Sequence, residues 1–152
     1  MFTINTKRLA AAFIATAALA GFATPALAGQ CAPADVRANP LSDRATEAKG
    51  VTDDVIGSID LGKEIGVTGR DLRMRRLVVQ PGGVVPFHSH VGRPALIITI
   101  SGEATEYRST CAVPIVHKAG EVSREADGIS HYWRNNGSVP AVLLSADVKA
   151  AE

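Results

Sequence analysis

From Val55 to the end, the chain is a series of short apolar or alternating segments, each closed by glycine, proline or asparagine, and none carries a helical period of twelve residues. This punctuation constrains the fold more than any other feature. Segments of this length cannot supply the amphipathic helices of a bundle or of parallel βαβ units, whereas short strands separated by turn residues build antiparallel sandwiches and barrels. Eight strand-like segments follow one another: VIGSIDL, DLRMRRLVVQ, GGVVPFHSH, ALIITIS, SGEATEYRS, AVPIVHKAGEV, GISHYWRNNGS and PAVLLSADV. ALIITIS is β-branched and apolar throughout, as in a strand covered on both faces. In DLRMRRLVVQ, Leu72, Met74 and Val78 share one parity, which marks the expected core face. The Pro81-Gly82-Gly83 triplet reads as a turn between two strands.

The beginning of the chain has a different texture. Lys7 and Arg8 precede an uncharged run from Leu9 to Phe22, and Ala26-Leu27-Ala28 forms an A-x-A site. This is the layout of a Sec-type secretory signal peptide over residues 1–28, with cleavage expected after Ala28; the run is short and alanine-rich for a membrane span, which needs about 20 firmly apolar residues. Residues 29–54 are polar and carry two prolines, and read as an arm or linker with one helical turn near Asp43 to Ala48. Residues 55–152 are the folded domain. Beyond Ala28 the chain carries 14 basic and 15 acidic residues. That balance suggests neither nucleic acid nor an anionic membrane as a partner. A secreted or periplasmic chain meets an oxidising compartment, so Cys31 and Cys111 are expected to pair and clamp the arm to the domain.

Histidine is scarce, with four in the whole chain. His88 and His90 stand two apart, so in a strand they project from one face and can grip one metal ion. Alone, such a pair is a weak signal. A third histidine, His131, lies in a second patterned stretch, and the two stretches together resemble the two motifs of the cupin family. Gly82, five residues, His88-Ser89-His90 and then Gly102 follow the first motif. Gly120, five residues, Ala126-Asp127-Gly128, two residues, His131, three residues and Asn135 follow the second. The resemblance implies an all-β fold, the antiparallel double-stranded β-helix (jelly-roll) barrel, here with an N-terminal arm. It also implies one divalent transition metal ion (Fe, Zn, Cu, Ni or Mn) on His88, His90 and His131, inside one mouth of the barrel. A homodimer is implied by the resemblance alone.

Two positions depart from the pattern. Ala126 replaces a proline, and Ala95 stands where the first motif of a cupin has its metal-binding glutamate. A site of three neutral imidazoles keeps more open positions and favours Zn²⁺, Cu²⁺ or Ni²⁺ over hard ions such as Mn²⁺. Glu103 and Glu106, just past the ALIITIS segment, are the carboxylates in reach. The expected pocket residues are Trp133, which shares parity with His131; Arg93, at the rim, able to hold a substrate carboxylate; and Tyr107 with Glu106 as acid, base or hydrogen-bond donor. The simpler expectations are barrel filling for Trp133 and a solvated loop for Arg93. Phe87 is expected in the outer layer, His117 on the surface, and Arg70, Arg73, Arg75 and Arg76 on a solvated strand face. Three functions fit this set. They are a metal-dependent enzyme acting on a small molecule, most plausibly a dioxygenase of the quercetin-dioxygenase-like type; a non-catalytic module for a metal or small ligand; and a partner-binding domain with a degenerate site.

Overall fold

The computed structural model describes residues 29–151. The predicted signal segment, residues 1–28, lies outside the described residues. Eight strands follow a 3-10 turn at Pro33–Asp35: β1 (Lys49–Asp60), β2 (Arg70–Ser89), β3 (Ala95–Ser101), β4 (Glu103–Arg108), β5 (Ile115–Lys118), β6 (Val122–Glu125), β7 (Ser130–Arg134) and β8 (Ala141–Ala150). All pair antiparallel, in the order β5-β4-β7-β2-β8-β3-β6, with β1 added on β2. The ends of this path, β5 and β6, are joined by the three residues Ala119 to Glu121. Strands joined by so short a turn must lie close together, so the sheet curls into a barrel. This is the expected jelly-roll architecture. One short helix, α1 (Leu61–Ile65), joins β1 to β2; Asp60 caps its start and Gly66, at φ 75°, ends it. No helix among the described residues is long and apolar enough to cross a membrane.

The strand boundaries differ from expectation in three places. β1 begins at Lys49, so the last residues of the segment read as a linker are strand. The Pro81-Gly82-Gly83 triplet does not reverse the chain but bends the single strand β2, whose first half pairs with β8 and whose second half pairs with β7. Conversely, AVPIVHKAGEV splits at Gly120 into β5 and β6. The arm does not fold into a helical turn near Asp43; it lies along residues 109–112, with the amides of Arg37, Asn39 and Ala112 bonded across and Val36 bridging to Cys111. Cys31 and Cys111 are bonded as a disulfide, with their Cα atoms 5.8 Å apart.

Parity along β2 is the reverse of that expected. Leu77 and Val79 face inward together with Arg73 and Arg75, while Leu72 and Met74 face out. The apolar core (Leu77, Val79, Ile97, Ala104, Trp133, Ala141 and Leu143) fills one end of the barrel. The interior toward the other end is polar, with Glu106, Arg108, Ser123, Glu125, His131, Ser145 and Asp147 all buried.

Candidate metal centre

Three imidazoles converge within that polar interior. A register shift between Val85 and His88, one extra residue in β2, places His88 directly opposite His131 of β7, and His90 lies one inward position further on, just beyond the strand. His88 is half-buried; His90 and His131 are buried. His88 Nε2 stands 3.1 Å from both His90 Nε2 and His131 Nε2. The three opposite ring nitrogens are all engaged. His88 Nδ1 donates to the Pro86 carbonyl at 2.8 Å, His90 Nδ1 to the Arg93 carbonyl at 2.8 Å, and His131 Nδ1 to Glu106 Oε1 at 2.5 Å. Each acceptor lacks a proton, so each Nδ1 carries the hydrogen, and in a neutral ring that leaves Nε2 a bare lone pair. Two such lone pairs 3.1 Å apart cannot hydrogen-bond to each other, and the three imidazoles form a cluster that could hold a metal ion. Ligand atoms about 2.1 Å from an ion and at right angles to each other lie about 3.0 Å apart, against about 3.4 Å for a tetrahedral pair. The observed spacing is compatible with three imidazoles that would share one ion.

The protonation states agree with this arrangement. Burial, aided by the neighbouring His131, pulls the His88 imidazole down to about 4 and His90 down to about 3, so both rings are neutral at physiological pH, as metal binding requires. Glu106 is buried as well, which by itself would favour its protonated form. Hydrogen bonds from His117, His131 and Arg108 outweigh that cost and hold it far below the usual carboxylate range. Arg108 grips both its oxygens, at 2.9 and 2.8 Å. Glu106 therefore acts from behind His131, fixing its tautomer and ring orientation in the manner of the carboxylate partners of metal-bound histidines.

A family model described as "Cupin domain" matches residues 75–147, the span that holds all three imidazoles. Among solved structures, a predicted oxalate decarboxylase from Thermotoga maritima superposes with a TM-score of 0.52 at 21% identity, covering 74% of this chain and 96% of that one. The chain carries a cupin domain over residues 75–147. An oxalate oxidase in complex with glycolate superposes on this cupin with a TM-score of 0.50 at 20% identity, covering 67% of this chain and 55% of that one. These likenesses show the fold. Nectarin-1 from Nicotiana langsdorffii x Nicotiana sanderae is 29% identical over 116 residues, which is 72% of this cupin and 51% of nectarin-1. The chain spans about half the length, or less, of the curated relatives it matches.

Outside the ligand cluster, a cavity of about 200 Å³ opens beside His88, lined by Asp53, Arg75, Leu77, Val85, Pro86, Arg93, Ile97 and Trp133. Arg93 is more than a solvated loop residue. Its guanidinium stands 3.5 Å from His90 Nε2 and 3.8 Å from Asp147, and its pKa is lowered by burial and by the nearby Arg75. Arg75, expected on a solvated face, is buried and paired with Asp53 and with Asp147 at 3.4 Å; Arg73 joins Asp147 by two hydrogen bonds. Trp133 serves two roles, filling the core and walling this cavity.

Two expectations fail outright. Tyr107 lies on the opposite parity of β4 from Glu106, faces away from the imidazoles and stacks on Tyr132 with ring centroids 4.6 Å apart. His117 is fully buried rather than on the surface; its Nε2 stands 3.0 Å from Glu106 and its ring packs against Trp133. Its cover is the arm, which passes so close at Gly29 that an added Cβ would sit 2.9 Å from His117 Nδ1. Phe87 faces outward as expected, beneath the Arg44 guanidinium. Glu103 is exposed at the start of β4. The residue that the sequence reading missed is Glu125. It ends β6, is fully buried, and stands 3.0 Å from His90 Nε2 and 3.6 Å from His131 Nε2. Burial pushes it up to about 7.

Proposed function

We propose that this cupin is an exported metalloprotein that uses a divalent transition ion to act on a small carboxylate-bearing molecule, as an oxygenase of the quercetin-dioxygenase-like type. The observation that carries the reading is the convergence of three imidazoles, with His88 Nε2 standing 3.1 Å from the Nε2 atoms of both His90 and His131. A bound ion would supply Lewis acidity and open positions to a chelating molecule. The chain's own residues do the rest. His88, His90 and His131 hold the ion, with Glu106 steadying His131. Leu77, Val85, Ile97 and Trp133 form the apolar wall of the cavity. Arg93, beside His90 and partly desolvated, is placed to receive a carboxylate through a charge-assisted pair.

A second reading, a non-catalytic binding module, is favoured by one observation. The acids around this cavity, Asp53 and Asp147, are both tied to arginines, so neither is free to move a proton. Export is supported by the sequence of residues 1–28 and by the Cys31–Cys111 disulfide. The near-neutral charge argues against nucleic acid or an anionic membrane surface as a partner.

The deciding experiment is metal analysis of tag-free protein, followed by oxygen-uptake assays of iron-loaded protein over flavonols and small carboxylic acids. Close to one ion per chain, lost in His131→Ala, is expected. A wild-type protein that takes up no ion sinks the reading. Full metal without turnover, but with carboxylate binding that Arg93→Ala abolishes, moves it to the binding module.

A further inference from the structure

We infer that Glu125 is a fourth metal ligand, a carboxylate supplied by β6 in place of the one that the first cupin motif carries on β3. The inference rests on the three-histidine reading and extends it. In register, Glu125 is the direct cross-strand partner of Ala95, the position where the motif glutamate is missing. Directly paired residues of an antiparallel sheet present their side chains on the same face, about 5 Å apart. A longer side chain on one strand can thus deliver a carboxylate to the same interior region as the neighbouring strand.

The surroundings of Glu125 leave it no other work. Its side chain is completely buried, yet neither Oε1 nor Oε2 has a hydrogen-bond partner among the described residues. A buried carboxylate without partners is costly, and such groups are found paired or on metals. Its nearest polar neighbours are His90 Nε2, 3.0 Å from Oε2, and His131 Nε2, 3.6 Å from Oε1. Both rings donate through Nδ1, which turns their Nε2 atoms toward Glu125. The 3.0 Å separation from His90 is close to the 3.1 Å between His88 and the other two imidazoles, and Glu125 and His131 also belong to a second cluster of possible ligands with Glu106. A proton shared between Glu125 Oε2 and His90 Nε2 is the alternative occupant of this gap, and the metal affinities and melts below separate it from an ion.

Two further features favour the exchange of strands. The interior row that runs across the sheet is Arg73, Asp147, Ala95, Glu125. A glutamate at 95 would set three acids abreast, so with Asp147 and Glu125 in place a small residue belongs between them. Glu106, the other buried acid near His131, is occupied by Arg108, His117, Ser123 and His131 Nδ1, which leaves it no free lone pair for an ion. With Glu125 as a ligand, the charge of a dication falls from +2 to +1 and a hard oxygen joins the set. The preference against Mn²⁺ expected for three imidazoles alone is thereby lessened.

The test compares Mn²⁺ and Zn²⁺ affinities, by chelator competition, in wild type, Glu125→Gln, Glu125→Ala, His131→Ala and the double variant Ala95→Glu/Glu125→Ala, with thermal melts of each metal-free protein. Glu125→Gln and Glu125→Ala should each weaken Mn²⁺ by at least about tenfold, the loss that even outer partners of ligands produce, and weaken Zn²⁺ by less. The double variant should recover Mn²⁺ affinity relative to Glu125→Ala. Metal-free Glu125→Ala should melt no lower than wild type, because it removes an unsatisfied buried carboxylate. Wild-type Mn²⁺ affinity in both single variants overturns the inference, as does a purely structural signature, a lower melting temperature with unchanged affinity. Either result, with His131→Ala metal-free, leaves the three-histidine centre standing; metal retained by His131→Ala brings down the centre itself.

Discussion

The Glu106 carboxylate is held in the barrel by an arginine, two histidines and a serine, and one of those histidines is His131. Replacing it with glutamine keeps an acceptor for His131 Nδ1–H but removes the negative charge that Arg108 pairs with. Glu106→Gln should weaken metal binding by about 10- to 100-fold and destabilise the fold by roughly 3 kcal/mol, since the Arg108 charge stays buried without its partner. Chelator competition and urea titration read the two effects; unchanged affinity would show that the carboxylate does not position His131. Of this site, the histidine trio was legible in the sequence because period-two spacing and motif intervals are properties of the chain alone. Glu125 was not, because its role depends on which strand lies beside Ala95, and no local pattern states that. A weak signal existed, since Ser123 and Glu125 alternate with Val122 and Arg124. The burial of His117 followed the same alternation, but the arm that covers it comes from some ninety residues earlier.

β2 shows how an element can carry turn chemistry without turning. Pro81-Gly82-Gly83 has the composition of a reversal, yet here it is the point at which one strand changes partner from β8 to β7. Asn135 locks the bend: its carbonyl accepts from Gly82 N, its amide donates to Gly83 O, and its side chain donates to the carbonyls of Val79 and Val139. This explains the asparagine of the second motif as a structural residue; the bend brings β2 onto β7, and the register shift between Val85 and His88 then sets His88 opposite His131. The two glycines serve differently. Gly82 adopts φ 71° with nothing within 4 Å of an added Cβ, whereas at Gly83 a Cβ would lie 2.7 Å from the Gln80 carbonyl and 2.8 Å from that of Gly50. Gly82→Ala should cost about 1–2 kcal/mol, for the left-handed backbone alone. Gly83→Ala forces apart two backbone segments and should cost more, about 3 kcal/mol, the upper range for overpacking, with weakened metal binding because the bend shifts. Urea melts rank the two, and a Gly83→Ala protein as stable as Gly82→Ala would show that the bend yields freely.

At the scale of the whole molecule the barrel is turned partly inside out. Its metal-side interior is charged, and much of its apolar surface faces outward. The reversed parity of β2 has the same cause, because Arg73 and Arg75 are drawn in to neutralise Asp147, which leaves Leu72 and Met74 outside. Across the sheet the outward rows run Ile59, Leu72, Val148 and then Gly57, Met74, Ala146, Leu96, with Leu144, Ile98 and Val122 beside them. Leu96 is 55% exposed, Leu72 38% and Met74 39%. Arg124 beside Leu96 and Arg76 beside Leu144 border these rows, which leaves an exposed apolar patch with a charged edge, the composition of an interaction surface. A second copy of the chain is the occupant we propose, since a two-fold axis sets the same apolar rows against each other without needing complementary charge. Sedimentation velocity should find a dimer in the wild type and a monomer in Leu96→Asp/Met74→Asp. Because both positions point away from the imidazoles, the variant should bind metal as the wild type does. A wild-type protein that sediments as a monomer overturns the dimer assigned to this face.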